Sequence, residues 1–378
     1  MPRLLAPDVA RGLALCLIAV ANVMLYLHDR PYGMRQHLVE DAGPDRAVTF
    51  ATVALVDARV YPLFALFLGF GIARLHAADS TALGIGKLRR RGVGLLLFGA
   101  VHGILLFSGD ILGLYGLLTL ALIPVLRWSP RRLVGAAGLL VVPCALIQGT
   151  TLADPGPTMQ RMILWSIGIA DPLGALAWRP VEWTMGMVGM LGVLPAVLIG
   201  LRAGRLDLVA RPAAYRRFLG TVGVVGALIG LLGGVPAGIV AAGAWDVSAG
   251  PVAVAVSTLH VATGILAGIG YAALIALACT HPGFAASGVA AAFTAVGERS
   301  LTCYLLQSVL MVPLLAAWTL GWGGVLGSGH ALLAALAVYA ATALAALWMR
   351  QHRNLRPAEQ LLRRFVNRRP RTLSEAPQ

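Results

Sequence analysis

The stretch VHGILLFSGDILGLYG, residues 101–116, sets one imidazole, His102, and one carboxylate, Asp110, among apolar side chains, glycine and two hydroxyls. Histidine is the side chain whose ordinary titration falls near neutrality. It suits proton transfer to or from a reacting hydroxyl or amine, and it can also carry an acyl group transiently. Asp110 follows Ser-Gly and precedes an apolar run, which is the pattern of a helix N-cap. On an unbroken helix the two groups would be about 12 Å apart, too far to bond. Asp110 is therefore expected to cap the next helix or to hold a ligand, and to partner His102 only if the chain bends between them.

Other polar groups interrupt the apolar sequence. Asp8 and Arg11 are three residues apart and share one helix face. An arginine there either snorkels to the surface or presents a planar cation to an anion such as phosphate. Asn22 returns to the face of Arg11 within about 20°. Asp57 and Arg59 read most simply as a compensated pair within a span. Ser300, Tyr304 and Gln307, preceded by Glu298 and Arg299, form a second polar stripe at i, i+4 and i+7. Gln307 and Tyr304 are expected to complete a polar cavity.

These groups need elements to position them, and composition says what kind. Hydrophobic residues make up 58% of the 378 positions and charged residues only 12%, about half the usual share of a soluble domain. The expected fold is all-α and polytopic. Ten spans are read at 10–27, 51–73, 92–108, 111–126, 133–149, 184–201, 218–243, 251–279, 300–321 and 331–349. Residues 158–181, interrupted by Pro172, read as an outer-surface helix and loop, with a broken, re-entrant segment as the alternative. Residues 1–350 form one transmembrane domain, followed by a basic cytoplasmic tail at 351–378. Arg3 and the following apolar run imitate a signal peptide, but the run continues through NVMLYL, so it is read as a retained first span.

Four connections, 74–91, 127–132, 202–217 and 350–371, hold 21 of the 30 Lys and Arg. The alternation places both termini in the cytoplasm and the protein in the cell (plasma or inner) membrane. It also explains the net charge of +14 without a nucleic-acid partner, because the cations cluster at the ends of apolar runs. Arg91 marks the inner surface, and His102, eleven residues on, lies about 16 Å deeper, near the bilayer midplane. An ionisable group there marks a functional site, with interhelical packing as the alternative. The four cysteines sit singly, and no zinc spacing, Walker A loop or GxSxG elbow occurs. No metal and no resident cofactor are expected.

Five segments in order resemble one family. PDVARGLALCLIAVAN is similar to LDxLRGxAxxGIxxxN, and DARVYPLFALFLGFGIA to a basic residue followed by LFSxLFGxG. GVGLLLFGAVHGILLFSGDILGLYG is similar to GxxHxxLxxxGDILxxYA. VGERSLTCYLLQS resembles xGRMALTNYLxQS, and LRPAEQLLRRF resembles GPLEWLLRxx. The chain thus resembles the domain-of-unknown-function 418, YeiB-like, membrane proteins. Pro7, Ala10, Cys303, Arg356 and Gln360 depart from the usual residues. Distant similarity groups that family with transmembrane acyltransferases, among them the lysosomal heparan-glucosaminide acetyltransferase.

The resemblance implies movement of an acyl group from cytoplasmic acyl-CoA, as donor substrate, to a small-molecule, lipid or glycan acceptor at or across the bilayer. His102 would be catalytic, Arg11 oriented by Asp8 would hold donor phosphates, and Asn22, Arg59, Asp110, Tyr304 and Gln307 would bind substrate. The alternative is a secondary transporter or flippase for a small metabolite or lipid precursor, for which a midplane polar cavity is equally suited.

Overall fold

A computed structural model describes residues 4–41, 43–151, 153, 161–247, 250–352 and 354–367. Arg3 and the end of the basic tail, 368–378, lie outside them. The helices are α1 (Leu5–Leu25), α2 (Gly43–Leu55), α3 (Val60–Ala78), α4 (Ala82–Leu105) and α5 (Leu112–Ala121). They continue as α6 (Pro130–Thr151), α7 (Pro172–Gly189), α8 (Leu194–Arg205), α9 (Arg216–Ala241) and α10 (Pro251–Ala278). The last are α11 (Pro282–Ala285), α12 (Gly288–Gly297), α13 (Ser300–Leu315), α14 (Ser328–Gln351) and α15 (Pro357–Asn367). Extended pairing among the described residues is limited to one isolated bridge, Tyr32 with Leu38. The protein is an all-α, polytopic membrane protein.

Among the described residues, seven helical stretches are long and apolar enough to cross a bilayer alone: Leu5–Leu25, Gly43–Ala78, Pro130–Thr151, Pro172–Arg205, Pro212–Ala241, Pro251–Ala278 and Ser328–Gln351. The other three expected spans fall on α4, α5 and α13. The first half of α4 carries Lys87 and Arg89–Arg91, and α5 and α13 are short. Close backbone approach holds pairs together in lipid, where small residues permit it. Gly226 and Gly230 of α9 meet Gly270 and Ala267 of α10.

Two expectations are corrected. The second span is not one helix: it breaks at Val56–Arg59, where Ala58 takes a positive φ of 58°. The break is stable because its freed backbone groups find partners inside protein. Arg59 donates to the Asp57 and Val53 carbonyls, and Asp57 accepts from the Ala58 amide. Likewise Pro172 does not interrupt a surface helix. It opens α7, the position where its missing N–H removes no helical bond, and Asp171 caps the Gly174 amide at 2.6 Å. The sixth span therefore starts well before residue 184.

The hairpin of α4 and α5 has the largest consequence. Helix α4 stops at Leu105, the chain turns through Phe107–Gly109, and the ten-residue α5 returns toward the basic end. A helix that ends inside a membrane leaves carbonyls without partners. Arg179 of α7 supplies them, its Nη1 donating to Leu105 O at 2.9 Å and Ile104 O at 3.3 Å while its guanidinium lies over the Trp318 ring. Glu182, one turn along α7, accepts from the Ser108 hydroxyl in the turn and from the Ser166 amide and hydroxyl of the covering loop.

The alternation of basic connections predicts that the two ends of α9 face opposite sides of the bilayer, with the basic end inside. In a background cleared of native cysteines, an Ala213→Cys side chain is expected to be shielded from a membrane-impermeant maleimide in intact cells, and an Ala244→Cys side chain labelled. Equal labelling of both would overturn that orientation.

Candidate functional site

The break in α4 brings together groups that an unbroken helix would separate. Asp110 Oδ1 lies 2.9 Å from His102 Nδ1, because the chain bends between them, the condition under which the sequence allows this pair. The other oxygen, Oδ2, accepts from the Gly113 amide at 2.7 Å and caps α5 as expected, and the Trp183 indole N–H also points to it at 3.3 Å. On the far side of the ring, His102 Nε2 lies 2.8 Å from the Ser308 hydroxyl of α13. A carboxylate at Nδ1 favours the tautomer protonated there and leaves Nε2 to accept from a hydroxyl. All three side chains are buried.

Tyr304, one turn before Ser308, faces the imidazole with ring centroids 5.0 Å apart, and its hydroxyl accepts from the Ile111 amide. This group lies where two apolar clusters meet. One contains Ile111, Leu112 and Tyr304, the other Phe107, Leu164 and Met311.

Two cavities lie beside this group: Tyr304 lines the first and Asp110 the second, while His102 and Ser308 line neither. The first, about 640 Å³, opens at the basic end and is lined by Arg11, Lys87, Arg91 and Arg363 together with Asp8, Asp79 and Glu359; its deep wall includes Leu112, Tyr115 and Tyr304. Arg11 pairs with Asp8 at 3.3 Å. Helix α15 closes one side, because Glu359 caps α13 by accepting from the Leu301 and Thr302 amides at 2.8 and 3.1 Å. The second cavity, about 410 Å³, lies toward the opposite end, is mostly apolar, and reaches Asp110 and Glu182.

The other sequence-read residues are placed as follows. Asn22 accepts from the Tyr61 hydroxyl at 2.8 Å and reaches the second cavity only through that tyrosine. Gln307 donates to Leu15 O at 3.2 Å, joins α13 to α1 and lines neither cavity. Arg59 is fully buried in a separate cluster. It donates to Gly230 O at 2.8 Å and lies 3.1 Å from the His260 ring, while Asp57 pairs with Arg35 at 2.9 Å. The structure thus gathers His102, Asp110 and Tyr304 in one group, sets Asp8 and Arg11 in the basic cavity, and leaves Arg59 and Gln307 elsewhere. Among the described residues no group of three His, Cys, Asp or Glu is placed to hold a metal ion.

Ser308, Arg179, Glu182 and Trp183 were not singled out from sequence. Ser308 continues the Tyr304 stripe at i+4. Arg179 and Glu182 are i, i+3 charges within the otherwise apolar LAWRPVEWTM.

The fold and site define a polytopic helical membrane protein with a histidine–carboxylate centre built on the hairpin of α4 and α5. Residues 203–369 match the family described as a protein of unknown function (DUF418). The match includes Tyr304, Ser308 and Glu359, while His102 and Asp110 precede it. Comparison with curated proteins finds no match.

The hairpin closes because Gly99 of α4 lies directly against Gly113, so a Cβ at Gly99 would strike the Gly113 backbone and the Asp110 carboxylate. Overpacking of this kind destabilises by about 1–3 kcal/mol or more. Gly99→Val is expected to lower the thermal unfolding midpoint in detergent. Gly135→Val, on α6 where an added Cβ meets nothing within 4 Å, is expected to leave it unchanged.

Proposed function

We propose that the protein is a membrane acyltransferase. In this reading a phosphate-bearing thioester of the acyl-CoA class enters the basic cavity from the cytoplasm, and its acyl group leaves on an acceptor from the opposite side. The observation that carries it is the hydrogen-bonded series Asp110–His102–Ser308, with Asp110 lining one cavity and Tyr304, which faces the imidazole, lining the other. A hydroxyl bonded to an imidazole, itself held by a carboxylate, is the arrangement that activates oxygen nucleophiles for acyl transfer.

The roles follow from positions. Arg11, Lys87, Arg91 and Arg363 offer cations to the donor's phosphates. The acyl end passes Tyr304 and reaches Ser308, one helical turn deeper and about 6 Å along the axis. Ser308 Oγ attacks the thioester carbonyl as its proton moves to His102 Nε2. The carbon–sulfur bond breaks and the thiolate takes that proton, leaving an ester on Ser308. An acceptor hydroxyl or amine then attacks the ester, gives its proton to His102, and Ser308 Oγ recovers it. Asp110 fixes the ring's orientation throughout.

Two cavities beside one polar group also suit a carrier with alternating access. Purified protein given acetyl-CoA with a labelled acetyl group is expected to release free thiol and to carry a hydroxylamine-labile label on Ser308. His102→Ala and Ser308→Ala should reduce this by at least about a thousandfold, and Asp110→Asn by roughly a hundredfold or more, with unfolding midpoints showing that each variant folds. Absence of thiol release and of acetyl-CoA binding by folded wild type would overturn the reading. Uptake of a solute into proteoliposomes under those conditions would establish the carrier instead.

A further inference from the structure

The second cavity is not explained by the donor, and unlike the first it has carboxylates but no cation in its lining. Its walls are largely apolar, with Leu25, Ile147, Leu164, Met185, Val188 and Met190 among them. The polar groups that face it are two buried carboxylates, Asp110 and Glu182, and the amide of Gln148, with Thr151, Thr184 and the Tyr61 hydroxyl beside them. The Gln148 side chain is more than nine-tenths buried, and its amide nitrogen reaches only the Met190 sulfur, at 3.9 Å. A buried amide donor so weakly partnered is a group awaiting an acceptor atom.

We infer that this cavity holds the acyl acceptor, and that the acceptor is an amphiphile drawn from the bilayer, with an apolar body and a hydroxyl or amine at its reacting end. The inference rests on the acyl-transfer reading above. Three features carry it. First, about 410 Å³ is within the usual range for a bound small molecule, but few polar groups line it, so a free sugar or polyol would bury hydroxyls without partners. Second, carboxylates at the deep end accept hydrogen bonds from a hydroxyl or amine and repel phosphate or carboxylate. Third, the wall made by α6 and α7 faces lipid: Ile147, Met185 and Val188 are 45%, 52% and 56% exposed on a protein whose surface at this depth meets hydrocarbon. Entry between α6 and α7 keeps the apolar body out of water at every stage. The reacting end then arrives beside Asp110, which already holds His102.

Two glycines on α7 make the test selective. Gly186 and Gly189 line the cavity, and a Cβ built on either meets no atom closer than 3.8 Å, so the backbone there has room for a side chain to start. Protein in liposomes is supplied with labelled acetyl-CoA and either 1-dodecanol or dodecylamine, against glycerol or glucosamine. Label is expected on the long-chain acceptors with at least a tenfold preference. Gly186→Leu and Gly189→Leu should each lower that transfer about tenfold or more while acyl-protein still forms from the donor.

A diazirine-bearing dodecanol provides a readout that needs no turnover. It should cross-link to peptides spanning 147–151 or 185–190, be displaced by dodecanol, and be lost in Gly189→Leu. Equal use of glycerol or glucosamine, or cross-linking unchanged in Gly189→Leu, would overturn the inference while leaving acyl transfer intact. Cross-linking as expected without acyl-protein in wild type would instead remove the acyl-transfer reading and leave an amphiphile site.

Discussion

The hydrogen bond between His102 and Asp110 depends on ending a helix inside the membrane. Stopping α4 at Leu105 frees carbonyls, and starting α5 at Leu112 frees amides, which need partners within the protein when they are buried. Arg179 answers the carbonyls and Asp110 answers an amide. Asp110 therefore has two tasks, one oxygen closing the helix start and the other holding the ring. The polar centre and the structural solution to the broken hairpin are the same set of atoms, so neither can be altered without the other.

The same economy recurs in the other break. Arg59, Asp57, Arg35 and His260 gather at the interruption between α2 and α3, where guanidinium groups bond freed carbonyls. Buried arginine in this protein is foremost a backbone donor. That is a reason for caution in reading every intramembrane charge as a ligand site: Arg59 and Arg179 are deeply buried and both act on carbonyls.

Much of the architecture was legible in the sequence. Seven of the ten expected spans fall on helical stretches long and apolar enough to cross a bilayer, and the other three on the shorter or more basic α4, α5 and α13, because apolar length is a strong local signal. Helix breaks were not legible, because the partners that make them tolerable come from distant segments. The turn at Phe107–Gly109 is stable only with Arg179 and Glu182, more than seventy residues away. The site was visible in part for the same reason. His102, Asp110 and Tyr304 stood out as polar groups in apolar runs, whereas Ser308 looked like one more small residue on α13. Its role depends on which helix lies opposite, which spacing along α13 cannot reveal. Gln307, beside it in sequence, carries an equally conspicuous amide yet ties α13 to α1.

The brace between α15 and α13 has a mechanical corollary. Glu359 grips the first amides of the helix that bears Ser308, and Leu362 and Arg363 of the same short helix form part of the basic chamber's wall. Wall and grip are thus one rigid piece. Any shift of that piece moves the near end of a lever whose working hydroxyl sits about 12 Å along its length, so what fills the chamber and how the hydroxyl meets the imidazole are geometrically tied.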